Sequence, residues 1–413
     1  MRNTNYKIPK EKIRCLLKQT GDILAAPNEV NLPSLYKGTG GIALFYSILL
    51  EYDNCETWQK QFDRYFKNTT ESLNNIPLPS SLGMGFTGIF WLIRFLNEKA
   101  VLSNNDLKEM EIDNLDDLVI QSIWTDENNF DLFYGFIGKV VYLLRKENNE
   151  DILIQVVSII DSLKTQTEDG FIFWADYDEK SKHLVNMGLA HGMPSIIIIL
   201  SRIYKKISSK EVKKQIEKLV SGAINWLLCQ KNISECQSIF PTASQKSHRE
   251  NQNSRLAWCY GDLGIAWVLV IVSDVFKNKD WLKEAHLIIT HSCKRRLPES
   301  GLYMDTSFGG IDVGLCHGLS SIVYLYHKLY QKTKLRTIKK MIDFWLGLLI
   351  ENFEKILIEA KTKDRKIFTY DENYFIIDEY SFLEGISGVG IVLISLISPK
   401  KNNWDDILLL SDE

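Results

Sequence analysis

No stretch of this 413-residue chain approaches the ~20 consecutive apolar residues that a membrane-spanning helix needs. The opening Met1-Arg2-Asn3-Thr4-Asn5-Tyr6-Lys7 lacks the apolar core of a secretory signal. Charge of one sign is missing too. Its 49 Lys and Arg stand against 52 Asp and Glu, a net −3 that gives no overall attraction to nucleic acid or an acidic membrane. No Pro-, Gly- or Ser-rich linker and no low-complexity stretch divides the chain. Cysteine is sparse and odd in number, at Cys15, Cys55, Cys229, Cys236, Cys259, Cys293 and Cys316. That scatter fits a reducing cytoplasm and excludes a disulfide framework.

What is present is one short string, repeated. Gly38-Thr39-Gly40-Gly41, Gly85-Phe86-Thr87-Gly88, Gly135-Phe136-Ile137-Gly138, Gly192-Met193-Pro194-Ser195, Gly261-Asp262-Leu263-Gly264, Gly318-Leu319-Ser320-Ser321 and Gly385-Ile386-Ser387-Gly388 all obey G-x-x-[GS]. The steps between leading glycines are 47, 50, 57, 69, 57 and 67 residues. A lone GxxG means nothing, but seven at this pitch, each opening an apolar run, define a helical repeat. Runs such as Ile196-Ile197-Ile198-Ile199-Leu200 have no polar face and must be buried. Between them lie amphipathic segments such as Glu211 to Leu228, Trp281 to Cys293 and Thr337 to Ile350. The pattern predicts an all-α toroid of seven inner and seven outer helices, with the glycines at one rim. Each repeat buries its face on the next, so residues 1–413 form a single closed domain. Aromatic, β-branched segments predict β-hairpin insertions at the mouth near 166–190, 296–315 and 363–384, shaping a peptide-sized groove.

The repeat register also carries the chemistry. One residue before the glycines stand Lys37, Met84, Tyr134, His191, Tyr260, His317 and Glu384; two before the fifth and sixth stand Cys259 and Cys316. Cys259, Cys316 and His317 thus come from adjacent repeats at matching height. Two thiolates and an imidazole make a three-ligand zinc set whose fourth position is open, the pattern of a catalytic rather than a structural site. His191 lies one repeat further round, where it is either a turn residue or a proton carrier. Asp131, four before the third glycine, caps a helix or serves the site. Arg255, four before a cysteine, reads on its own as a surface residue. The other five cysteines read as small core residues. His248, His286, His291 and His327 read as surface or packing residues, and Glu384 as an unpaired rim acid.

Trp258-Cys259-Tyr260-Gly261, Cys316-His317-Gly318, Ala190-His191-Gly192 and the G-x-x-G series resemble the lanthionine synthetase C-like proteins over nearly the whole chain. Within them the chain looks most like the stand-alone cyclases of class I lanthipeptide biosynthesis, the nisin and subtilin cyclase group. Ser195 and Ser321 depart from the glycine pattern but are small enough to keep it. The resemblance implies an α/α toroid with Zn2+ on Cys259, Cys316 and His317. It implies an acid/base role for His191, catalytic roles for Asp131, Arg255 and Tyr260, and substrate binding by Trp258. The implied reaction is Michael addition of peptide Cys thiols to dehydroalanine or dehydrobutyrine, giving lanthionine and methyllanthionine rings. Arg255 is placed to meet the enolate, and His191 either delivers the proton to Cα or takes it from the thiol. The implied partners are a dehydrated precursor with its leader peptide, a dehydratase and an ABC transporter. The implied location is cytoplasmic, peripheral to the inner membrane face only through that complex. Rival readings are glutathione or other thiol addition to dehydroamino acids on this fold, and a non-catalytic peptide-binding scaffold in a maturation complex. Protein prenylation is disfavoured, because no carboxylate holds a ligand offset beside either cysteine.

Overall fold

Every one of the seven leading glycines is the N-cap of a helix. The inner helices are Thr39–Tyr52, Phe86–Glu98, Phe136–Leu143, Met193–Lys206, Asp262–Val275, Leu319–Thr333 and Ile386–Ile397. The structure is a computed structural model and describes residues 8–411 apart from 27–31, 126–128, 176–183, 234–235, 246–251, 305–309, 363–379, 399 and 401. Close approach, more than backbone conformation, demands these glycines. Thr39 N donates to Leu32 O at 2.8 Å, and a Cβ on Gly38 would lie 1.9 Å from that oxygen. The same holds at Gly85, whose Cβ would meet Pro79 O at 1.9 Å. Gly261 alone of the caps also has a left-handed φ, of 97°.

Seven outer helices alternate with the inner ones: Lys10–Ala25, Glu56–Glu71, Ile112–Ile123, Glu150–Ser162, Lys210–Cys229, Lys279–Ser292 and Arg336–Thr362. Each inner helix packs on its inner neighbours, and the last closes on the first. Backbone hydrogen bonds between the residues two or three before each glycine complete a circle. Tyr36 N donates to Gly83 O (3.1 Å), Gly83 N to Phe133 O (2.9 Å) and Leu132 N to Ala190 O (3.1 Å). Ala190 N donates to Cys259 O (3.3 Å), Cys259 N to Cys316 O (3.3 Å), Cys316 N to Leu383 O (2.9 Å) and Leu383 N to Tyr36 O (3.2 Å). This belt puts all seven motifs at one rim. Its members are buried, and the residues one step on, from Lys37 to Glu384, are at least partly exposed at the mouth.

The insertions are less regular than expected. Thr165–Gln166 and Ile172–Phe173 form a short antiparallel hairpin. Leu184–Asn186, however, pairs with Ala243–Gln245 from the next repeat and not with a local partner. The described residues of 296–315 contain no strand; a bond from Asp312 N to Tyr303 O (3.0 Å) holds that loop instead. The strands expected over Lys366 to Ile377 lie outside the described residues.

The barrel's centre is filled by the chain's own end. The short 3-10 helix Trp404–Leu408 and the residues up to Ser411 are bonded to six of the seven repeats. Tyr36 Oη donates to Ile407 O (3.2 Å), Trp258 Nε1 to Leu408 O (2.8 Å) and Trp267 Nε1 to Leu409 O (2.9 Å). Lys328 pairs with buried Asp405 (2.7 Å), and Arg202 and Arg145 pair with Asp406 (2.6 and 3.2 Å). Burial pushes the Asp406 carboxyl up, but the two guanidinium groups outweigh it and hold it below the usual range. Its contribution is therefore present above the ordinary carboxylate range and is lost as pH falls through its depressed folded value. Asp406→Ala leaves buried Arg202 without its anion and Arg145 with Glu98 alone, and is expected to cost about 3–5 kcal/mol, read as a lower urea midpoint at neutral pH. An unchanged midpoint would show that the tail is not a structural axle.

Candidate active site

Cys259 and Cys316 are neighbours in the belt, 3 % and 6 % exposed, and their thiols hydrogen-bond to each other. They are the two buried cysteines; Cys55 and Cys293 are half-buried and pack against the core as expected, whereas Cys15 and Cys229 are exposed and do not. The pair holds its protons unequally. The Cys316 hydrogen bond brings Cys259 down to about 7 against burial, helped by the charges of His317, Arg255 and His191. The same bond, with burial, pushes Cys316 well up.

Two histidines flank the thiols, each with a carboxylate behind it. His317 Nδ1 lies 2.5 Å from Asp312 Oδ2, and Asp312 Oδ1 accepts from Gly314 N (2.7 Å). Burial pulls the His317 pKa down, but Asp312 reverses this and raises it. His191 Nδ1 lies 2.6 Å from Asp131 Oδ2, while Asp131 Oδ1 accepts from Phe133 N (2.6 Å) and Tyr134 N (2.9 Å). The Phe133 ring meets His191 edge-on at 4.9 Å, and the Tyr260 ring lies 5.6 Å from it. Tyr260 Oη accepts from Asn186 Nδ2 (3.1 Å). A carboxylate held from behind by backbone N–H groups fixes the imidazole with Nδ1–H inward, which leaves Nε2 as the working atom.

Arg255 is half-buried, and its Nη2 donates to Tyr303 Oη at 3.0 Å. Burial works against its charge, but the Tyr303 bond and the two thiols prevail and raise its pKa. It is a permanent cation beside the sulfur pair. Glu384 is not unpaired: it lies 3.9 Å from Lys37 Nζ and 4.0 Å from His317 Nε2.

Trp258 is not exposed at the mouth. It is fully buried, its backbone N–H bonds to Ser321 Oγ (2.6 Å) and its indole N–H to Leu408 O. It ties Cys259 to the tail, and Ser321 serves as an anchor where five of the repeats have glycine. Trp258→Phe strands a buried carbonyl and is expected to lower stability by about 1–3 kcal/mol with no change in KM for peptide. A raised KM would restore the substrate-binding role.

Sequence reading missed Asp312, Asn186 and Tyr303. The first two share an offset with Arg255 and Asn129: all stand six before a leading glycine. Four polar residues at one offset in consecutive repeats were a visible signal. The Asn129 and Asp312 carbonyls close their turns by accepting from Phe136 N (2.7 Å) and Leu319 N (2.9 Å).

Among the described residues no three His, Cys, Asp or Glu side chains already form a group that could hold a metal ion. The donor types nonetheless suit zinc: two buried thiols, one shifted toward neutral pH, beside a histidine backed by a carboxylate.

A closed ring of glycine-capped inner helices, with paired thiols and carboxylate-backed histidines at its mouth, defines an α/α toroid built for thiol chemistry. The model of the lanthionine synthetase C-like protein family matches residues 29–409, and the chain belongs to that family. It is 26 % identical over 412 residues to the nisin biosynthesis protein NisC of Lactococcus lactis subsp. lactis, covering 92 % of this chain and 89 % of that one. The solved structure of a nisin cyclase shares its fold at TM-score 0.71 and 22 % identity, covering 98 % of both chains. No helix among the described residues is long and apolar enough to cross a membrane.

Proposed function

We propose that this chain is a zinc-dependent lanthipeptide cyclase, acting over residues 1–413 as one catalytic unit. The observation that carries the reading is the buried Cys259–Cys316 pair, set in the belt beside His317 and one repeat from the Asp131–His191 pair. The family and the nisin relative support it. Cys259, Cys316 and His317 would hold the zinc, which when bound keeps a substrate thiol deprotonated and nucleophilic. Asp312 presents His317 through Nε2. The peptide sulfur forms a bond to Cβ of dehydroalanine or dehydrobutyrine, the alkene π bond breaks, and charge moves to the carbonyl oxygen as an enolate. The Arg255 cation stabilises that oxygen. His191, locked by Asp131, exchanges its proton at Nε2: it takes the thiol proton or returns one to Cα. Tyr260 packs beside the His191 ring and helps to orient it.

The substrate is a dehydrated precursor peptide with its leader, supplied by a dehydratase and passed to a transporter. The reaction takes place in the cytoplasm, at the membrane's inner face when that complex assembles. Incubating purified protein with dehydrated precursor tests the reading. Ring closure leaves mass unchanged, so free thiols are counted by alkylation and mass spectrometry. Protein-dependent loss of alkylatable thiols is expected; no loss above the spontaneous rate would overturn it.

A further inference from the structure

Tyr303 touches both the arginine and the histidine arm of the site. We propose that it is a positioning residue for Arg255, holding the guanidinium at the sulfur pair. The inference rests on the cyclase reading for its kinetic part only. Tyr303 Oη accepts from Arg255 Nη2 at 3.0 Å, and the guanidinium carbon lies 4.7 Å from the centroid of the same ring. The ring meets His317 edge-on at 5.3 Å and 87°. The Tyr303 carbonyl accepts from Asp312 N (3.0 Å), whose carboxylate holds His317. One residue of the sixth repeat's loop therefore fixes the fifth repeat's cation relative to its own histidine.

Burial does not explain these contacts. Tyr303 is 52 % exposed, so its packing contributes little to the core. Gly301, at a left-handed φ of 72°, brings the loop against Arg255: a Cβ there would lie 2.9 Å from Arg255 Cβ. An arginine has several rotatable bonds, and an untethered guanidinium at the mouth would swing into water. A phenol that both accepts its hydrogen bond and lies against its face removes that freedom before substrate arrives, which is what electrostatic preorganisation requires.

Tyr303→Phe removes the hydroxyl and keeps the ring. On dehydrated precursor it is expected to lower kcat about 10–100-fold, the effect of one hydrogen bond to a charged group. KM stays within about twofold, and the thiolate-to-metal absorption of the cobalt-loaded protein is unchanged. In an Arg255→Ala background the same substitution should cost less than about twofold, because its target is gone. Guanidinium NMR signals give an arm independent of cyclisation. The Arg255 signal, assigned by its loss in Arg255→Lys, should be resolved in the wild-type protein and motionally averaged in Tyr303→Phe. A wild-type kcat, additive losses in the double variant, or an unchanged Arg255 signal would overturn the proposal. A raised KM alone would make Tyr303 a substrate contact, and a lost cobalt band would make it a support of His317. A wild-type protein that closes no rings yet shows the signal change would overturn the cyclase reading and leave the positioning intact.

Discussion

Cys316→Ala is expected to hold less than a tenth of an equivalent of zinc and to close rings only at the spontaneous rate, roughly the whole of the enzyme-dependent activity. The substitution removes one of two thiols that already share a hydrogen bond, and leaves Cys259 without the donor that brings it to about 7. The fold should persist. The belt bond at this position runs from the Cys316 backbone N to Leu383 O, and alanine keeps it. The apolar core that closes the ring needs no metal clip. Metal analysis with a far-UV spectrum checks both halves. A folded variant with full zinc would remove Cys316 from the ligand set, and an unfolded one would show that the metal is structural.

Asp131→Asn is expected to keep its zinc and lose about 10²–10⁴-fold in cyclisation rate, a range typical of a displaced general acid–base. The size follows from which way the amide must face. Phe133 N and Tyr134 N both donate to Oδ1, so the asparagine oxygen stays there and its NH2 faces His191 Nδ1. A donor against Nδ1 makes that nitrogen an acceptor and moves the imidazole proton to Nε2. The histidine survives in its place with the wrong tautomer. His191→Ala should lose a similar factor while keeping zinc. Single-turnover rates on dehydrated precursor, with zinc measured in parallel, check both. Wild-type rates in Asp131→Asn would reduce the pair to a turn-stabilising contact, and loss of zinc would place His191 in the metal shell.

The repeat made most of the architecture legible. Seven glycines at one offset gave the inner helices, their common rim and the mouth residues, because a repeat fold carries equal offsets to equal heights. The same offset places Cys259 beside Cys316, as the belt bond between them bears out. What stayed hidden depends on pairing between repeats or within loops. Asp131 and His191 are 60 residues apart, and nothing local marks their hydrogen bond. Asp405 and Asp406 look like a solvated tail in the sequence. They are drawn inside because Arg145, Arg202 and Lys328 stand toward the C-terminal ends of inner helices, where a cation is favourable and an anion can meet it. Trp258 sits inside the motif that carries the family likeness, yet it faces the tail; adjacency to Cys259 is not exposure to substrate. Near 296–315 the aromatic string differs from the expected hairpin: its described residues meet the site through single contacts, such as Tyr303 on Arg255, and form no ladder.

Zinc K-edge absorption, with and without a cysteine-bearing dehydrated peptide, bears most directly on the central claim that this mouth binds and activates a peptide thiol. The free protein is predicted to show two sulfur neighbours at ~2.3 Å with one nitrogen and one oxygen, and the peptide complex three sulfurs with the oxygen gone. A shell that already holds four protein ligands, or one that gains no sulfur from the peptide, would contradict it.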